Sequence, residues 1–149
     1  MPDTKLGYKD MKNQFKFMFI ICALLSALVL NSCAPEYKLE FAIGAASAEC
    51  PIDLGDGITI TNIDSEDNNV VYTCIVDESD SETLVSDMDN HRIRSVMKES
   101  ILSTLVNSSD PDMNEFINLV KEAKYNIVYR YIGSLSNTKV DIVIYPHEL

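Results

Sequence analysis

The hydrophobic pattern begins with one unbroken run at residues 17–30, fourteen uncharged positions preceded by Lys12 and Lys16. Beyond it the apolar positions become periodic. Leu39, Ala42, Ile43 and Ala46 fall at i, i+3, i+4 and i+7, the stripe of one helix face. Pro51 restricts Cys50 to extended geometry, so that helix stops near it. Residues 54–57, Leu-Gly-Asp-Gly, read as a turn, and the β-branched alternation of residues 58–63 reads as a strand. A polar loop of hairpin length at residues 64–69 leads into a second strand at residues 70–76, and the two are expected to pair antiparallel.

Residues 77–89 are acidic and polar apart from Leu84, Val85 and Met88. Ile93, Val96, Met97, Ile101, Thr104 and Leu105 then keep the helical period, which predicts a helix over residues 88–106. Asp110-Pro111 has the form of an N-cap followed by proline at the first helical position, and Met113, Phe116, Ile117 and Val120 mark one face of the helix it starts. Residues 125–132 are β-rich, residues 133–137 form a turn, and residues 138–145 alternate before Pro146 stops them. The segregated order α, β-β, α-α, β-β predicts an α+β domain. Its expected sheet is four-stranded and mainly antiparallel, built from two hairpins, with two central helices and an N-terminal helix packed on one face.

An internal echo accompanies this order. Asn69-Val70-Val71-Tyr72-Thr73-Cys74-Ile75 and Asn126-Ile127-Val128-Tyr129-Arg130-Tyr131-Ile132 match as Asn-(Val/Ile)-Val-Tyr-x-x-Ile. Their neighbours do not match, so the copies read as equivalent places in two hairpins rather than as a tandem repeat.

The apolar run has the architecture of an export signal: a basic flank, an uncharged core and small residues at Ser26, Ala27 and Ser32. Fourteen helical residues rise only ~21 Å against a bilayer core of ~30 Å, which favours a removed signal over a permanent span. The run ends in Leu30-Asn31-Ser32-Cys33, which resembles the bacterial lipobox. That resemblance implies cleavage before Cys33 and a lipid on its sulfur. Two or more acyl chains, at ~0.8 kcal/mol per buried CH₂, anchor a domain without any transmembrane helix. An ordinary signal peptide with an incidental Cys33 is the alternative. The expected organisation is an over-extended start at 1–10, a signal at 11–32, a lipidated tether at 33–36 and a single domain at 37–149.

From Cys33 onward, 117 residues carry eight basic and twenty-one acidic side chains, a net charge of −13. Such an excess repels phosphate backbones and anionic lipid, which excludes nucleic acid as a natural partner and leaves the lipid as the membrane attachment. Of four cysteines, Cys22 lies in the signal and Cys33 at its end. Cys50 and Cys74 remain, in an exported domain where a disulfide is permitted and two buried thiols are the alternative.

No catalytic motif is found. His91 and His147 are the two histidines, neither near a recognisable nucleophile motif, and there is no Gly-x-Ser-x-Gly, phosphate loop or Cys-x-x-Cys. Metal-ligand spacing is likewise missing, and neither a metal nor another cofactor is expected. The acids Asp77, Glu78, Asp80, Glu82, Asp87 and Asp89 crowd one stretch but lack the glycine and terminal glutamate of a calcium loop. Among alternating positions Tyr72 shares a face with Val70 and Cys74, and Tyr129 and Tyr131 share one with Ile127. If the faces coincide, three tyrosines line one side of the sheet, either packed under the helices or open to a peptide or glycan.

The chain resembles a class of small lipoproteins of gut Gram-negative anaerobes. The resemblance rests on Leu30-Asn31-Ser32-Cys33, Cys50-Pro51-Ile52-Asp53-Leu54-Gly55, Ile58-Thr59-Ile60-Thr61, Val71-Tyr72 and Val128-Tyr129-Arg130-Tyr131. It implies an envelope location and transfers no active-site residue. Ala34 after the lipidated cysteine implies the outer membrane. The expected function is a non-catalytic binding or interaction module with an envelope protein or glycan as partner; a small hydrolase with convergent carboxylates, or an inhibitor of an exported enzyme, are the alternatives.

Overall fold

The computed structural model describes residues 34–79 and 84–149. The expected over-extended start and signal, Cys33 and the acids Asp80 and Glu82 lie outside the described residues. Among those described, no helix is long and apolar enough to cross a membrane. The chain runs α1 (Pro35–Ala48), β1 (Ile52–Gly55), β2 (Ile58–Glu66), β3 (Asn69–Val76), α2 (Val85–Met88), α3 (His91–Val106), α4 (Pro111–Ala123), β4 (Asn126–Gly133), β5 (Lys139–Ile144) and a 3-10 turn, Pro146–Glu148.

The α+β class is as expected, but the sheet departs from the reading in two ways. It has five strands in the order β1-β2-β3-β4-β5, where four were expected. It is also mixed, because β3 and β4 run parallel while the other three pairings are antiparallel. The extra strand is four residues long, too short to announce itself by alternation. It turns back through Asp56 and Gly57, both at positive φ, a tight hairpin turn for which Asp-Gly is suited. The parallel pairing follows from the connection. Three helices lie between β3 and β4, long enough to carry the chain back to the end of the sheet where β3 began, whereas a short turn could only reverse it.

Both hairpins are present. The loop expected at residues 64–69 is smaller than its polarity suggested: β2 continues to Glu66, and only Asp67 and Asn68, at positive φ, make the turn. A register shift between Ile60 and Asn62 resets the alternation of β2, so that Ile60 and Ile63 both reach the core.

Asp110 caps α4 by accepting from the Asp112 N–H at 2.9 Å, with Pro111 in the first turn. Its buried face contains Met113, Phe116, Ile117 and Val120, the four residues of the sequence stripe. Leu39, Ala42, Ile43 and Ala46 are buried on α1 in the same way. The predicted helix at 88–106 is divided into the single turn α2 and the longer α3, which Asn90 caps by accepting from the Arg92 N–H. Within α3 only Ile101 and Leu105 are buried, while Ile93 and Val96 are exposed. Helical and sheet side chains meet in one core on one face of the sheet, from Leu39 and Ile43 through Tyr72 and Tyr129 to Ile101, Leu105 and Phe116.

On the opposite face, where none of the described helices packs, the ladder sets Asp64, Val71, Val128 and Val143 in one row. Arg130 reaches along this face to Glu66 at 3.0 Å and Asp141 at 3.1 Å. Val71 and Val128 are buried on this face as well.

Candidate functional site

The echoed segments meet residue for residue. Asn69 pairs with Asn126, Val71 with Val128, Tyr72 with Tyr129 and Ile75 with Ile132 across the parallel ladder. The Asn126 amide donates to the Asn69 side-chain oxygen at 2.8 Å, and the Tyr72 and Tyr129 rings stack with centroids 5.0 Å apart and planes 12° from parallel. Parallel in-register pairing gives identical residues identical neighbours, so each asparagine and each tyrosine can meet its own kind.

The faces of Tyr72, Tyr129 and Tyr131 do coincide, as the alternation required. All three belong to the core beneath the helices, with relative exposures of 7%, 2% and 7%. The three rings are packed into the core in this arrangement. Burial, with a contribution from nearby Cys74, pushes the Tyr131 hydroxyl well above the ordinary phenol range.

Cys50 and Cys74 are separate thiols rather than a disulfide. Cys74 lies on β3 opposite Ile60, which in turn lies opposite Ile52 of β1. Burial pushes the Cys74 thiol up to about 12, with a further contribution from Cys50. Burial also raises Cys50, whose sulfur faces the Ala46 carbonyl at 4.0 Å.

The most highly organised polar group among the described residues is Glu78, one of the acids that crowd residues 77–89 in the sequence. It is only 8% exposed, and its carboxylate accepts from the Ser136 N–H at 2.8 Å, the Ser136 hydroxyl at 2.9 Å, the Leu135 N–H at 3.1 Å and the Val85 N–H at 3.3 Å. Its own N–H donates to the Ser134 hydroxyl at 3.1 Å. The carboxylate thereby fastens the entrance to α2 onto the β4–β5 turn. A Cβ on Gly133 would collide with this carboxylate and with the Ser136 hydroxyl, which is why glycine ends β4. These donors, the Ser136 backbone N–H foremost, hold the Glu78 carboxyl below the usual carboxylate range. The only sequence signal was Gly-Ser-Leu-Ser, a turn with unpaired N–H groups that needed an acceptor from elsewhere.

The remaining chemistry-bearing residues stay apart. His91 and His147 are exposed, and the His147 ring stacks on Tyr145 at 5.7 Å. Among the described residues no group of three or more His, Cys, Asp or Glu is placed to hold a metal ion. Two acids, Glu40 and Asp64, line one depression between α1 and β2, a counterpart of the convergent carboxylates considered from sequence. Glu40 accepts from the Ser65 hydroxyl at 2.7 Å and the Tyr125 hydroxyl at 3.4 Å, and Asp64 accepts from the Asn62 amide. The Glu40 contacts fasten α1 to the sheet.

No protein-family model matches the chain, and no curated protein matches its sequence. Two solved structures share its fold. One is a candidate secreted protein of Pseudomonas aeruginosa, 14% identical with a TM-score of 0.53, aligned over 82% of this chain and 98% of that one. The other is the pilotin of the Vibrio vulnificus type 2 secretion system, 15% identical with a TM-score of 0.52, aligned over 76% of this chain and 90% of that one. At these identities the likeness establishes a common fold.

Proposed function

We propose that this chain is an envelope lipoprotein, anchored through acylated Cys33, whose α+β domain is a non-catalytic interaction module. The observation that carries the reading is the fold shared over nearly the full length of a secreted-type protein and a secretion pilotin, at the end of a sequence that opens with a lipobox-like signal. The use of polar groups within the domain supports it. Glu78, the paired asparagines and Glu40 bind the fold's own elements, and the three tyrosines fill its core. Ala34 at the position after the cysteine favours the outer membrane. The partner is an envelope protein or glycan, and the strongly acidic domain meets it without help from anionic lipid.

Crosslinking in intact cells, followed by detergent extraction and purification of the tagged chain, tests this reading. A reproducible envelope protein or glycan in the crosslinked fraction is the expected result. Repeated recovery of the chain alone would remove the interaction reading while leaving the anchor in place.

A further inference from the structure

The first helix carries two apolar stripes. Leu39, Ala42, Ile43 and Ala46 face the core. Tyr37, Phe41, Gly44 and Ala48 recur at i, i+4, i+7 and i+11, a second stripe on the side opposite the first at 100° per residue, and all four are exposed. Tyr37 is 73% exposed and Phe41 57%. The charged residues Glu36, Lys38, Glu40 and Glu49 flank this stripe and none falls within it. A helix apolar on both sides belongs in a setting that covers both, and the sheet covers one. By contrast α4, which lies against α1, presents Asn114, Glu115, Asn118 and Glu122 to solvent in the ordinary way.

The proposed acylation of Cys33, next to the start of α1 in the sequence, indicates what covers the outer stripe. Ala34 is the N-cap of α1 and Pro35 its first residue, inside the stretch read from sequence as tether, so Cys33 is joined to the helix through a single residue. Tyr37 and Ala48 are about 16 Å apart along the axis, and the stripe begins at Tyr37, four residues after Cys33 in the sequence. We infer that the outer stripe of α1 lies in the lipid headgroup layer, with Tyr37 and Phe41 inserted and the helix parallel to the membrane. This rests on the proposed acylation of Cys33, which fixes one end of the helix at the surface. A helix lying in the interface buries its apolar side ~5–10 Å into that layer, and tyrosine suits the depth because its ring is apolar and its hydroxyl wet. The acids flanking the stripe and the negative domain behind it require a zwitterionic surface. The consequence is an orientation: the helical layer faces the membrane and the helix-free face of the sheet, with Arg130 between Glu66 and Asp141, faces away.

The sequence contains no tryptophan, so a single Trp reports on its own site. The full acylated chain, its lipid verified by mass, would be reconstituted into phosphatidylcholine vesicles with and without brominated acyl chains, as the Phe41→Trp variant and as Leu135→Trp, the latter at a 71% exposed turn position. Brominated lipid is expected to quench Trp at 41 about twofold or more relative to Trp at 135. Equal, weak quenching of both in an acylated, vesicle-bound protein would overturn the inference and spare the anchor. Emission from Trp at 41 that is already blue-shifted without vesicles and changes with protein concentration would assign the stripe to a second copy and overturn it as well. A chain with no acyl mass on Cys33 would remove the anchor and this inference together.

Discussion

A single methyl group is enough to test how tightly Glu78 is enclosed. Gly133→Ala would push Cβ into the Glu78 carboxylate and the Ser136 hydroxyl, and overpacking of this kind typically costs about 1–3 kcal/mol. Urea unfolding should show a lower midpoint with an unchanged slope. The pH dependence is equally specific. Because donors lower the folded pKa of Glu78, the unfolded chain binds protons more readily, and the contribution is present above the ordinary carboxylate value of about 4.3 and lost as pH falls through the folded value. The thermal midpoint of Glu78→Gln should therefore lie below that of the parent at pH 7 and approach it as the solution is acidified; parallel curves would contradict the assignment. Beyond the Gly-Ser-Leu-Ser turn, none of this was legible in the sequence. Glu78 stands among acids with no apolar periodicity, and three of its four donors, on Leu135 and Ser136, are 57 and 58 positions away, so only the closed fold brings them together.

At the scale of elements, local signals were faithful wherever local physics decides. Asp110-Pro111 starts a helix because the cap and the proline act within one turn, and Asp110→Ala should cost about 1 kcal/mol, read as a reduced unfolding midpoint without loss of the fold. The apolar stripes of α1 and α4 were also legible. The stripe of α3 was legible in period but not in extent, since only its second half meets the sheet. Pairing was the blind spot. The shared Asn-x-Val-Tyr pattern of β3 and β4 was visible as an echo, yet no single-strand pattern states which strand lies beside which, or in what direction. The structure turns the echo into a contact, with asparagine on asparagine and tyrosine on tyrosine. The four-residue β1 had too few positions for alternation to register.

For the whole molecule, the proposed export signal and lipobox-like end precede a domain whose fold recurs in a secretion pilotin and a secreted-type protein. Class and helix layer could be read from the order of elements, because amphipathic faces must be buried somewhere. The five-stranded mixed sheet could not, because it depends on a long helical connection returning to one end. The outer stripe of α1 is visible only once its inner stripe is known to be buried. The central claim is the acylated Cys33, on which location and orientation both depend. The intact mass of the mature protein, extracted from membranes with detergent, measures it directly. The account predicts the mass of residues 33–149 plus acyl chains, with the lipid on the N-terminal cysteine. A chain cut elsewhere, or one retaining residues 11–32 with an unmodified Cys33 thiol, would contradict it.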